Sequence, residues 1–223
     1  MSSTTRIILI RHGESEGNAE NRFGGHLPMG LSLQGRLEAI ETAKALAQEE
    51  IHAIYSSDLL RAVETAIPLA ELKNIPIIET SAFRERNVGV LQGLLFKEAA
   101  EKFPKDYNAL LQRDFDYVIR EGESYRQVLK RAAGELERIL KIHRGQSVAI
   151  FAHTGTIGVM TLYLLGALNG LKLKPVWIAT ANCSITRFSI REDGFIVLKS
   201  LNNTSHLVSL NGYTESYGFG YKT

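Results

Sequence analysis

Four short apolar runs, Ile7–Ile10, Ile51–Ser56, Ile75–Ile78 and Ser147–Ala152, punctuate the chain, and three of them lead into segments with helical spacing of apolar residues. This alternation strongly constrains the fold. Strands separated by helices cannot form tight hairpins and pair most readily side by side in parallel, with the crossover helices covering the sheet. A different pattern appears near the end, where Cys183–Ile190 and Phe195–Leu201 flank Asp193-Gly194, a pair suited to a hairpin turn. The expected class is therefore α/β, with a mostly parallel, helix-covered sheet and one antiparallel element.

Between these runs the helices can be placed. Ser32 is a plausible N-cap for a helix carrying Leu37, Ile40, Ala43 and Leu46. A second helix is expected from Asp58 to about Lys73, with Pro68 kinking or splitting it. The stretch from Phe83 to about Gly122 is more polar; it has helical character over Phe96–Arg113 and turn signals at Gly89, Gly93 and Pro104. It reads as a cap-like helical insert at about 94–121. From Glu123 to His143 the spacing of Val128, Ala132, Leu136, Ile139 and Leu140 predicts an amphipathic helix closed by Gly145, and Gly155–Leu168 predicts a mostly apolar one. The tail from Ser209, with Gly212, Gly218 and Gly220 among aromatics, is expected to be ordered by docking. No repeat or linker divides the chain, so residues 1–223 read as a single domain.

Composition narrows the functional classes. The chain has 223 residues, of which 44% are hydrophobic, and 26 basic against 24 acidic residues leave a net charge of +2. No global field recruits nucleic acid or an anionic membrane. The polar Met1–Thr5 and the brevity of the apolar run after it predict neither a signal peptide nor a membrane span. Cys183, the sole cysteine, cannot form an internal disulfide, and its strand context predicts a small packed side chain. A cytoplasmic protein is expected. With no CxxC, HExxH or acidic cluster at ligand spacing, neither a metal nor another cofactor is expected.

The ends of the strands carry the chemistry. The first runs into Arg11-His12-Gly13-Glu14, which places a nucleophilic imidazole, a guanidinium that fits phosphate oxygens and a glycine that admits a bulky anion in one turn. The fourth ends in Ala152-His153-Thr154-Gly155, repeating the order of apolar run, histidine and helix. Arg61 falls in the first turn of the helix after the second strand, where a cation opposes the helix dipole and a bound phosphate would resolve the misfit. A solvated turn, a surface arginine and a structural histidine remain the alternatives at this point.

Arg11-His12-Gly13-Glu14-Ser15 with Asn18, Leu31-Ser32-Leu33-Gln34-Gly35, the run Ser56–Ala66 containing Arg61, Glu85 with Gly89 and Gly93, and Ala152-His153 occur in an order that resembles the histidine phosphatase superfamily, the phosphoglycerate mutase-like proteins. Asn203-Thr204-Ser205-His206-Leu207 is similar to a frequent carboxy-terminal block of that family. The resemblance implies a three-layer α/β/α sandwich. It implies that His12 attacks phosphorus to form a phosphohistidine that water then cleaves. Arg11, Arg61 and His153 would hold the phosphoryl oxygens, and Glu85 would serve as acid and then base. Asn18, Gly24, Thr154 and His206 complete the implied set as substrate-binding residues, with a buried structural hydrogen bond as the alternative for His206, and Glu14 stands second to Glu85 as a proton donor.

The family divides mainly into mutases and phosphatases. The segment between Glu85 and His153 is shorter than in the bisphosphoglycerate-dependent mutases, and Thr154-Gly155 follows the second histidine in place of their Gly-Asn. The chain thus looks more like the metal-independent phosphoserine phosphatases and related small-molecule phosphatases, although Val88 stands where the phosphoserine enzymes carry a histidine. The expected partner is a small phosphorylated metabolite: a sugar phosphate, phosphoserine or a nucleotide-loop precursor such as α-ribazole phosphate, with broad monoester hydrolysis as a further alternative. A phosphoglycerate mutase is the alternative and a non-catalytic phospho-ligand binding protein the lesser one. A homodimer is left open.

Overall fold

The computed structural model describes residues 4–168, 176–210 and 213–220. Among the described residues six strands form one sheet: β1 (Thr5–Arg11), β2 (Ala53–Ser57), β3 (Ile77–Thr80), β4 (Ser147–Ala152), β5 (Ile185–Ile190) and β6 (Ile196–Asn203). Their order is β3-β2-β4-β1-β5-β6. The first four run parallel, and β5 and β6 add the antiparallel hairpin expected at Asp193-Gly194.

The helices are α1 (Glu16–Ala19), α2 (Leu33–Ala45), α3 (Leu60–Lys73), α4 (Phe96–Lys102), α5 (Pro104–Leu111), α6 (Tyr125–Ile142) and α7 (Thr154–Leu164). Alternate residues of β1 show why the strand is apolar throughout. Ile7 and Leu9 pack with Ala132, Leu136 and Ile139 of α6 and Ile157 and Met160 of α7. Ile8 and Ile10 pack on the other face with Ala43 of α2 and Ala66 and Leu69 of α3. A strand covered on both sides has no solvent face to mark with polar residues. The result is the three-layer α/β/α arrangement.

Local chemistry sets the helix ends. Ser32 caps α2 by accepting a hydrogen bond from the Gly35 N–H, and Ser124 with Gln127 forms a reciprocal capping box on α6. Asp58 behaves differently from the expectation. The helix starts two residues later without a side-chain cap, and the Asp58 carboxylate instead accepts both Nε and Nη2 of Arg84 at 2.7 and 2.6 Å. Pro68 lies inside α3 without splitting it. Cys183 is buried in a turn before β5, with φ 52°, rather than within the strand. Burial pushes its thiol pKa up, the direction opposite to a reactive thiolate.

Helices α4 and α5 do not lie on the sheet. Their Ala99 and Leu110 join Phe23, Leu91, Ile119, Tyr125 and Val159 in a third apolar cluster. No helix among the described residues is long and apolar enough to cross a membrane. Gly212, part of the tail expected to dock, lies outside the described residues.

Candidate active site

The two histidines meet because of strand register. Arg11 of β1 pairs with Ala152 of β4, so the next residue on each parallel strand, His12 and His153, leaves the same carboxyl edge. Their ring centroids are 5.1 Å apart. This is the edge at which parallel α/β sheets place ligands. A pocket opens there, lined by Arg11, His12, Asn18, Gly24, Arg61, Glu85 and Thr154 among others. It encloses about 110 Å³, measured to the centres of water-sized spheres.

His12 Nδ1 lies 2.7 Å from the Gly13 carbonyl oxygen. A carbonyl can only accept, so Nδ1 carries the proton and Nε2 keeps its lone pair. Burial, then Arg61 and Arg11, hold the ring's pKa well below the usual histidine value. A neutral imidazole with a fixed tautomer is the nucleophilic form. Asn182, in the turn before β5, donates from Nδ2 to the His12 carbonyl oxygen at 2.9 Å, anchoring the backbone behind the ring.

His153 is fully buried at the N-cap of α7. Its Nε2 pairs with Ser57 Oγ at 2.8 Å, while its buried Nδ1 has no hydrogen-bond partner. Burial first, then Arg61 and His12, push its pKa well below the ordinary value. The rings of His12 and His153 are therefore expected to remain mostly neutral at pH 6.5 in ¹⁵N-detected NMR titrations; majority protonation of both at that pH would contradict the arrangement. The unfolded chain, with ordinary histidines, binds more protons below pH 6.5, so these two residues cost the fold stability as the pH falls through that value.

Arg11 and Arg61 are almost completely buried. Backbone carbonyls hold both: Arg11 Nη1 donates to Thr180 O and Ser216 O at 2.6 and 2.8 Å, and Arg61 Nη2 donates to Gly25 O at 2.8 Å. Burial lowers each pKa to about 10, with Glu85 working against the shift. Among the described residues neither makes an ion pair with a carboxylate that would compete with an incoming anion. Asn18 uses its carbonyl oxygen to accept from Ser15 and Asn182, which turns its amide donors to other use.

Glu85 stands apart from its charged neighbours. Arg84 pairs with Asp58, and Arg86 donates to the Glu123 and Tyr117 carbonyls. Glu85 Oε1 accepts from the Arg86 N–H and Oε2 from the Gly155 N–H, at 2.8 and 3.0 Å. A Cβ at Gly155 would lie 2.2 Å from Glu85 Oε1, so the second histidine's block leaves room for this carboxylate. Arg131 of α6 fixes the segment by donating to the carbonyls of Ala82, Arg84 and Glu85.

His206 departs from its expected place. It does not line the pocket; its Nε2 pairs with Thr42 Oγ1 of α2 at 3.1 Å. The block containing it follows β6 onto the α2 side of the sheet, so the histidine packs there rather than over the strand ends. Sequence reading missed Asn182, Arg131, Arg86 and Phe219. Each acts across more than 30 residues of chain, on a backbone carbonyl or an aromatic ring, and no local motif marks such a contact.

A nucleophilic imidazole, two buried guanidiniums and a carboxylate around one pocket, with His153 buried beside the His12 ring and outside the pocket lining, define the equipment for phosphoryl transfer. The comparisons agree. The sequence profile of the histidine phosphatase superfamily (branch 1) matches residues 7–204, and the chain belongs to this family. It is 37% identical over 212 residues to the metal-independent phosphoserine phosphatase of Arabidopsis thaliana, covering 94% of this chain and 86% of that protein. It is 34% identical over 203 residues to phosphoserine phosphatase 1 of Hydrogenobacter thermophilus, covering 91% and 94%. Among solved structures, Bacillus stearothermophilus YhfR superposes with a TM-score of 0.82 at 27% identity, covering 91% of this chain and 99% of that one.

Proposed function

We propose that this protein is a metal-independent phosphatase that hydrolyses small phosphate monoesters through a phosphohistidine on His12. The observation that carries the reading is the fixed, neutral His12 imidazole, its Nδ1–H held by Gly13 O, between two buried arginines. Nε2 attacks phosphorus and the ester P–O bond breaks; protonated Glu85 gives its proton to the departing alkoxide. Water then attacks the phosphohistidine, Glu85 takes the water's proton, and cleavage of the P–N bond returns inorganic phosphate and neutral His12. Arg11, Arg61, His153 and Asn18 hold the three equatorial oxygens, whose charge is the main thing the protein must stabilise. Residues 1–223 act as a single domain, with the insert at about 94–121 capping the pocket.

The charge of the lining indicates what the alcohol carries. Among the described lining residues Arg11, Arg22, Arg61, Arg86 and Arg113 face the single carboxylate of Glu85. Arg22 is paired with Glu20 at 2.9 Å, and the remaining four cations still exceed what one phosphate dianion needs. Arg86, 1% exposed, is held by the Glu123 and Tyr117 carbonyls and lies over the Tyr125 ring, 4.3 Å from its centroid, so it adds positive charge to the wall without an ion-paired carboxylate among the described residues. A small alcohol bearing a carboxylate matches this charge, and phosphoserine is of this kind. Val88, buried on the same wall, contributes an apolar contact.

The test is a panel of phosphate monoesters ranked by kcat/KM, including phosphoserine, glycerol phosphates, sugar phosphates and phosphoglycerate with and without its bisphosphate. Hydrolysis is expected, fastest for carboxylate-bearing esters and unchanged by excess chelator. Phosphoglycerate isomerisation without phosphate release, or a rate abolished by chelator, would overturn the reading.

A further inference from the structure

The carboxy-terminal segment 213–220 runs past the pocket without helix or strand of its own. At one end it meets the phosphate clamp: Ser216 O accepts from Arg11 Nη1 at 2.8 Å and from the Asn182 N–H at 3.1 Å. Gly218 and Gly220, with φ 76° and 87°, bracket Phe219. Two left-handed positions around one aromatic residue turn the chain sharply at that residue. The Phe219 ring enters the pocket lining and sits 4.8 Å from Phe23, 5.2 Å from Phe96 and 5.0 Å from Tyr107, centroid to centroid.

The far side of the pocket holds the segment in turn. Arg113 Nη2 donates to the Phe219 carbonyl oxygen at 2.6 Å, and its guanidinium lies over the Trp177 and Phe219 rings. Arg113 has φ 56° because it closes α5 in a left-handed C-terminal turn, in which the Arg113 and Asp114 N–H groups donate to the Leu110 and Ala109 carbonyls.

We propose that Phe219 is a specificity-determining residue that limits the size of the alcohol. Gly218 passes beside Arg11, where a Cβ would lie 3.4 Å from Nη2, so the neighbouring ring stands one residue beyond the phosphate end, where the alcohol must project. With Phe23 and Phe96 it forms an aromatic part of a wall otherwise rich in arginine. The ring is delivered by a segment with no regular structure, so substitution changes the wall without breaking the sheet or a helix. The proposal rests on the phosphatase reading for its substrates, not for its geometry.

The experiment compares wild type, Phe219→Ala and Phe219→Trp on phosphoserine and 1-naphthyl phosphate. Phe219→Ala is expected to raise the ratio of kcat/KM for the naphthyl ester over phosphoserine by about tenfold or more, and Phe219→Trp to lower it. The same esters are titrated calorimetrically against His12→Ala and His12→Ala/Phe219→Ala, where affinity replaces turnover and the same shift in ratio is expected. Should the wild type hydrolyse no ester, the phosphatase reading fails while the titrations still read the wall. Equal changes for both esters, in kinetics and in binding, would mean that Phe219 only docks the segment over Arg11, and would overturn the proposal.

Discussion

Replacing His12 with alanine is expected to abolish turnover, with a loss on the order of 10⁴-fold or more, as for removal of other covalent nucleophiles. The proposed mechanism allows no substitute. Of the neighbouring imidazoles, His153 has Nε2 committed to Ser57 Oγ and His26 has Nε2 on the Glu85 carbonyl oxygen, and Cys183 is a buried thiol whose pKa is raised. His12→Ala removes a buried ring, so folding is checked by circular dichroism, and His12→Asn provides a second variant of closer volume. Binding of inorganic phosphate to either variant is expected to persist, because Arg11 and Arg61 are held by backbone carbonyls rather than by His12. Turnover by the folded variants within tenfold of wild type would exclude His12 as nucleophile.

The second large effect concerns Glu85. Glu85→Gln is expected to slow phosphoserine hydrolysis by about 10² to 10⁴, the usual contribution of a general acid, and to slow 4-nitrophenyl phosphate far less. Nitrophenolate departs without a proton, whereas an alkoxide does not. The ratio between the esters is the informative quantity. Both carboxylate oxygens of Glu85 accept N–H groups, so a glutamine must turn its amide nitrogen toward one of those donors, and some of the loss will be positional and common to both esters. Equal losses would remove Glu85 from proton transfer.

The parts of the site that could be read from sequence are those that sit at the ends of regular elements. His12 and His153 each close an apolar run, and their meeting follows from two parallel strands leaving the same edge of a sheet. Ser32 capped its helix as read because a cap is a contact over three residues. Asp58 looked like a cap by the same logic, yet Arg84, 26 positions away, offers it a bidentate ion pair. The bidentate pair makes two charge-assisted hydrogen bonds to a cation where a cap would make one to a backbone N–H. The short helix α1 left no periodicity because four residues make barely one turn.

The supports behind the site were invisible for a related reason. Arg131 and Asn182 work on backbone carbonyls of residues far away in the chain, and every residue carries a carbonyl, so the partner has no sequence signature. Phe219 was one aromatic among several in a tail whose only legible feature was its glycines. His206 shows the opposite error: it matches a block in the family order, but its side chain meets Thr42 on the α2 side of the sheet.

The covalent intermediate on His12 is the central claim, and the stereochemistry at phosphorus tests it most directly. Hydrolysis of a phosphate monoester made chiral with oxygen isotopes, run in isotopically distinct water, reports the number of in-line displacements whether or not the intermediate accumulates. Two displacements, one by His12 and one by water, predict retention of configuration. Inversion would show that water attacks the ester directly, and the phosphohistidine mechanism would be wrong.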